Sequence, residues 1–200
     1  SQNSNLNSKF SLISLSILNN SWYLKIINFF VMVYIESMTI IVKNKHTLLF
    51  KEFEFRCCVG KNDFSKKKIE GDKKTPRGIY KIGNIYFRKD RIKKFETKLK
   101  MLPITKNLGC GDDVNDKKSY NKISKINKKF NHEKLYRKDH KYDLLIPIKY
   151  NSKRVTGKGS CIFIHLTNNY KPTAGCIALK KNDFLIMLKI INKKTQIKIH

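Results

Sequence analysis

From residue 38 onward the chain is a succession of short apolar stretches with a period of two, broken every few residues by Gly, Pro, Asn or Asp. In "FEFRCCVG", residues 53–60, Phe53, Phe55, Cys57 and Val59 alternate with Glu54, Arg56 and Cys58. Successive strand residues point to opposite faces, so this alternation marks a strand with one face buried. Comparable runs occur at 38–44 ("MTIIVKN"), 79–87, 144–150, 161–166, 176–179 and 196–199, which predicts a mainly β domain.

One helix is expected near the end. Asn182 can cap it, Asp183 suits its first turn, and Phe184, Leu185, Leu188 and Ile191 form an apolar stripe. Residues 106–141 are polar and Lys-rich without clear apolar periodicity, and read as a long ordered loop or lid. His132 and His140 within it read as surface residues, and Asp143 as the start of a strand.

With 200 residues, the chain can hold one domain with a real core plus a tail. We divide it into a tail, 1–37, and a domain, 38–200. The tail carries apolar runs at 10–18 and 22–35, each shorter than a confident membrane span, and no clear signal-type cleavage site. Three readings stand for it: upstream sequence outside the domain, a signal anchor, or an accessory helical hairpin. Membrane anchoring by 1–37 is therefore left open.

The formal charge of +28 is the kind of excess that nucleic-acid binding uses. However, only six of the 43 basic residues are Arg, and Lys is spread along nearly the whole chain. That distribution reads as solvated surface with a general pull toward acidic polymers, such as an anionic cell envelope, rather than a specific nucleic-acid site. The five cysteines, Cys57, Cys58, Cys110, Cys161 and Cys176, make no CxxC pair and no zinc-type spacing with His, so no metal site is expected. An odd count leaves at least one thiol free. Cys57 and Cys58 should point to opposite faces of their strand, one packing and one at the surface.

The stretch "FIHLTNNYKPTAGCIAL", residues 163–179, places His165 eleven positions ahead of Cys176. A cysteine becomes a nucleophile when an imidazole or oriented backbone N–H groups support its thiolate. Pro172, Ala174 and Gly175 keep the approach narrow and small, and backbone N–H groups around Gly175 and Cys176 could receive a developing oxyanion. On the strand 161–166, alternation puts Ile162 and Ile164 on one face and Cys161, Phe163 and His165 on the other.

A strand His, a loop, then Thr173, Gly175, Cys176, Ile177 and Leu179 resemble the active-site signature of the YkuD-type L,D-transpeptidase catalytic domain. Upstream, Glu70–Gly71–Asp72 followed by Thr75, Pro76 and Gly78 is similar to the opening region of that family. "YFRKDR" at 86–91, Tyr120–Asn121, "HEKLYRKDHKYDL" at 132–144 and "GKGSCIFIHL" at 157–166 follow in the order of one of its branches. The resemblance covers about residues 38–200.

It implies a YkuD-like β-sandwich of mixed sheets with one or few short helices, in which the His strand and the Cys turn line one cleft. It further implies an enzyme that attacks peptidoglycan stem peptides through a thioester on Cys176, with His165 as base, a backbone carbonyl orienting the His, and no metal or organic cofactor. An envelope or periplasmic location follows from that substrate class. Many members have His before the Gly and Arg two places after the Cys, where this chain has Ala174 and Ala178, and the His-to-Cys step is shorter than the commonest one. Arg88 and Arg91, or Arg154, are candidates to hold the substrate carboxylate in place of the missing Arg. Water in place of an amine acceptor would give an L,D-carboxypeptidase, and a non-catalytic basic envelope-binding domain is the reading from another class.

Overall fold

The computed structural model describes residues 21–200, which divide into a unit within Ser1–Ser37 and a second unit, Met38–His200. The apolar run at 10–18 lies outside the described residues. The first unit contributes helix α1, Ser21–Ser37. Trp22, Leu24, Ile27, Phe29, Phe30 and Met32 are all exposed on it. Among the described residues no helix is long and apolar enough to cross a membrane.

The second unit is mainly β. In chain order its strands are β1 (Thr39–Val42), β2 (Thr47–Phe50), β3 (Phe53–Cys58), β4 (Phe64–Ser65), β5 (Thr75–Pro76), β6 (Gly78–Lys81), β7 (Ile85–Phe87) and β8 (Met101–Pro103). Then come β9 (Leu108–Gly111), β10 (Ile123–Lys125), β11 (His132–Lys134), β12 (Leu144–Pro147), β13 (Phe163–Leu166), β14 (Ile177–Leu179), helix α2 (Lys181–Ile190) and β15 (Gln196–Ile199).

Ten of these strands form one sheet in the order β6-β15-β1-β2-β3-β14-β13-β12-β7-β8. It is mixed: β13 and β14 pair in parallel, as do β1 and β15, while the β2–β3 hairpin is antiparallel. Beyond β6 and β12 the sheet meets itself through the Ile82–Ile148 bridge, flanked by Lys149 N–H donating to the Lys81 carbonyl and Gly83 N–H to the Pro147 carbonyl. The result is a sandwich-like body whose inner face collects Ile40, Leu48, Phe50, Ile146, Ile164, Ile177 and Ile197 with Phe184, Met187 and Leu188 of α2. A small sheet, β10-β9-β11, covers the outer face of β13 and forms a second cluster with Leu135, Tyr142, Leu145, Phe163 and Cys176. β13 is thus covered on both faces, and all four of its residues are buried.

Three expectations change. The segment 106–141 is not a plain loop, because it carries the three strands of the covering sheet. Asn182 does not cap α2: Lys180, still extended as it leaves β14, stands at the N-cap without a side-chain hydrogen bond, so Asn182 falls in the first turn. Cys58 is not a surface residue. β3 lies inside the sheet beside β14, and the Cys58 thiol packs against Thr167 Oγ1 at 3.5 Å and donates to the Lys171 carbonyl at 3.3 Å.

Candidate active site

The pairing of β13 with β14 sets the geometry. Ile164 stands opposite Ile177 and His165 opposite Ala178, so Cys176, one residue before β14, stands level with Phe163. The Phe163 N–H donates to Cys176 Sγ at 3.3 Å. Strand alternation then puts His165 and Cys176 on the same face of neighbouring strands, the face turned from the main core. Both line one cleft of about 240 Å³, with Glu133, Arg137, Lys141, Tyr142, Ser160 and Thr173.

The Cys176 turn is held by two threonines. Thr173 Oγ1 accepts from Gly175 N–H at 3.1 Å and donates to the Cys176 carbonyl at 2.6 Å, closing the turn on itself. Thr75, fully buried on β5, donates to the Gly175 carbonyl at 2.9 Å and accepts from Gly60 N–H at 2.9 Å. Gly175 itself has φ +140°, and a Cβ there would lie 2.8 Å from the Lys74 carbonyl oxygen, so this position admits only glycine without a shift of backbone. The Thr-Pro motif and the Gly-Cys motif, a hundred residues apart, are one structural unit.

The remaining motifs are tied to one another and to Cys161. Asn121 accepts from Cys161 N–H at 2.9 Å, and its amide spans the Tyr150 and Asn151 carbonyls. Tyr120 donates to Glu70 at 2.5 Å. Cys161 forms a disulfide with Cys110 of β9, which ties the covering sheet to the approach of β13. The Cys161 carbonyl in turn accepts from the Cys176 thiol at 3.4 Å. Cys57, Cys58 and Cys176 remain free thiols.

His165 Nδ1 lies 2.8 Å from the Leu166 carbonyl. A carbonyl only accepts, so Nδ1 carries the proton and Nε2 keeps its lone pair. The ring packs edge-on against Tyr142 at 5.2 Å between centroids, and Tyr142 donates a short hydrogen bond to Glu133. Burial pushes the imidazole down to about 4; the Leu166 carbonyl opposes this, while Lys141 and Arg137 add to it. Burial likewise pushes the Cys176 thiol well up, reinforced by Glu133 and opposed by the Phe163 N–H and by Lys68. The resting pair is therefore a neutral thiol and a neutral imidazole.

Arg88 and Arg91 lie elsewhere. Arg88 is buried in a two-pronged pair with Asp90, at 2.8 and 2.6 Å, and donates to the Arg137 carbonyl. Arg91 binds Asp143 and the carbonyls of Lys138 and Asp139. Neither lines the cleft, and Arg154 lines a separate one beside Asn121 and Tyr150. Arg88 and Arg91 hold the 137–143 segment in place, and that segment carries the guanidinium that does reach the cleft, Arg137. Arg137 pairs with Asp139 at 2.7 and 2.9 Å, and nothing in its local sequence separates it from its basic neighbours. Among the described residues no group of three or more His, Cys, Asp or Glu side chains is placed to hold a metal ion.

The family model described as the YkuD L,D-transpeptidase catalytic domain matches residues 28–199. The chain belongs to this family. No curated protein matches it. The structure of Bdellovibrio bacteriovorus Bd1075 is similar at 16% identity with a TM-score of 0.44, covering 84% of this chain and 49% of that one. The chain thus spans about half the length of that protein. Membership makes this an L,D-transpeptidase-like enzyme domain.

Proposed function

We propose that the domain is a cysteine-dependent L,D-transpeptidase acting on peptidoglycan stem peptides. The observation that carries this reading is the placement of His165 on β13 and Cys176 at the entry to the adjacent parallel β14, in one cleft, with His165 Nδ1 tied to a backbone carbonyl.

Because thiol and imidazole both rest neutral, Nε2 takes the thiol proton as sulfur attacks the carbonyl after the L-centre of a stem tetrapeptide. The C–N bond to the terminal D-alanine breaks, the imidazolium returns its proton to the departing amine, and a thioester remains on Cys176. An incoming amine then loses its proton to His165 and displaces the sulfur, which leaves as a thiolate and takes that proton back from the imidazolium. Gly175 N–H is already taken by Thr173, so of the two N–H groups in this turn, the one on Cys176 is the donor for the oxyanion. Arg137, at the rim, takes the place of the Arg absent at Ala178 and holds a substrate carboxylate, with Asp139 keeping its planar fork in position. An envelope location follows from this substrate.

The test is mass spectrometry of products after incubation with diaminopimelate-containing tetrapeptide muropeptides, beside a Cys176→Ala control. Crosslinked dimers from the wild type alone establish the transferase. Tripeptides alone make the domain an L,D-carboxypeptidase. No product from either protein leaves the non-catalytic basic domain.

A further inference from the structure

Lys68 is the one lysine among the described residues that is buried, with its side chain 3% exposed. Removing an ammonium from water is costly unless it is paired, and the pairing here is specific. Asp72, of the Glu-Gly-Asp motif, accepts from Nζ at 2.5 Å and also from the N–H groups of Ile69 and Lys74, each at 2.9 Å. Burial works to raise the Asp72 carboxyl, and these three hydrogen bonds outweigh it and hold it below its usual range. Asp72 Oδ1 is the only hydrogen-bond partner of the ammonium among the described residues, which leaves two of its three N–H donors without one.

The stem and head of this lysine lie between the two backbone segments that shape the nucleophile. A Cβ on Gly159, which has φ +89°, would meet the Lys68 methylenes at 2.8–2.9 Å, so glycine makes room for the stem. A Cβ on Gly175 would lie 3.4 Å from Lys68 Nζ, which puts the ammonium directly behind the residue preceding Cys176. Lys68 does not line the cleft and so has no contact with a substrate there. The charged or titratable groups that do surround Cys176 are Glu133 from β11, Tyr142 from the segment before β12, His165 from β13, and Arg137 and Lys141 at the rim. Glu133 disfavours a thiolate, and Lys68 is the cation that acts on it from behind the turn.

We propose that Lys68 is a positioning residue for the nucleophile: its ammonium, pinned by Asp72 behind the Gly175–Cys176 turn, supplies positive potential that favours the Cys176 thiolate as it forms. Asp72 sets how much of that potential the sulfur feels. The inference rests on the reading of Cys176 as the nucleophile.

The test is the rate of Cys176 alkylation by iodoacetamide as a function of pH, followed by peptide mass spectrometry so that Cys57 and Cys58 are scored separately. Lys68→Met keeps the apolar stem and removes the charge. Its profile is expected to move to higher pH by about one unit, roughly tenfold less thiolate at a given pH. Asp72→Asn keeps the ammonium and removes its counter-charge, and its profile is expected to move the opposite way. A purely structural lysine would lower the melting temperature in both variants and leave both profiles on the wild-type curve, which overturns the proposal. If Lys68→Met does not fold, Asp72→Asn decides: a downward shift supports the proposal, and an unmoved or upward one sinks it. Retention of turnover by Cys176→Ala would instead overturn the nucleophile itself, a failure separate from that of Lys68.

Discussion

At the scale of single residues the site is governed by desolvation. His165 is pushed to about 4 from an ordinary 6.5 because burial penalises its charged form. As a base it must be neutral, so kcat/KM of the free enzyme is expected to fall as pH drops through about 4, rather than near 6.5; an acid limb at 6.5 would contradict the assigned burial. Stability moves in the same window. Between 6.5 and about 4 the unfolded chain binds a proton on His165 that the folded chain does not, so folding free energy is lost as pH falls across that range. His165→Asn should flatten this part of the pH–stability curve, read by thermal denaturation, while lowering kcat by roughly 10²–10⁴-fold. Thr75 provides a second case, since its hydroxyl serves Gly60 and Gly175 at once. Thr75→Val leaves a buried N–H and a buried carbonyl unpaired, at a cost of about 1–3 kcal/mol each in a denaturant titration. Turnover should fall with it, because the Gly175 carbonyl is one of the two fixed points of the Cys176 turn.

At the scale of elements, the covering sheet β10-β9-β11 is the piece whose order matters most to the cleft, because it supplies Glu133. The Cys110–Cys161 disulfide crosslinks it to the body across a sequence separation of 51. A Cys110→Ser, Cys161→Ser double variant is expected to lose about 2–4 kcal/mol of stability, and to raise KM more than it lowers kcat, since His165 and Cys176 sit on β13 and beside β14 while the lid shapes substrate access. Equal losses in both parameters would show that the crosslink acts on the nucleophile through the Cys161 carbonyl. The strands themselves were readable because alternation is a local signal: the face assignment of Ile162 and Ile164 against Cys161, Phe163 and His165 follows from a six-residue window. The lid strands were not, because β10 and β11 are three residues each with little apolar content, held by pairing to β9 rather than by propensity. The misplaced helix cap has the same origin. Asn182 has the right side chain, but the extended exit from β14 starts the helix two residues earlier.

At the scale of the whole molecule, the candidate pair His165 and Cys176 could be located because it sits inside one signature of seventeen residues. The groups that tune it could not. Lys68, Glu133 and Arg137 come from distant segments, and in a chain with 43 basic residues a buried lysine carries no local mark. The charge of +28 is spread along the chain, and predicts retention on an anionic polysaccharide matrix that weakens steeply with added salt and is the same for Cys176→Ala and wild type. Retention unaffected by salt would exclude the electrostatic origin.

The sheet order also has a consequence for biosynthesis. β15 is inserted between β6 and β1, pairing with residues 78–81 on one side and 39–42 on the other. Until residues 196–199 have left the ribosome, both of those strands present open edges, and the sandwich cannot close although β13 and β14 are already made. Cys176 is therefore synthesised before the scaffold that holds it is complete, and a nascent chain stalled short of β15 would carry an unpaired sheet edge together with a thiol awaiting its fold.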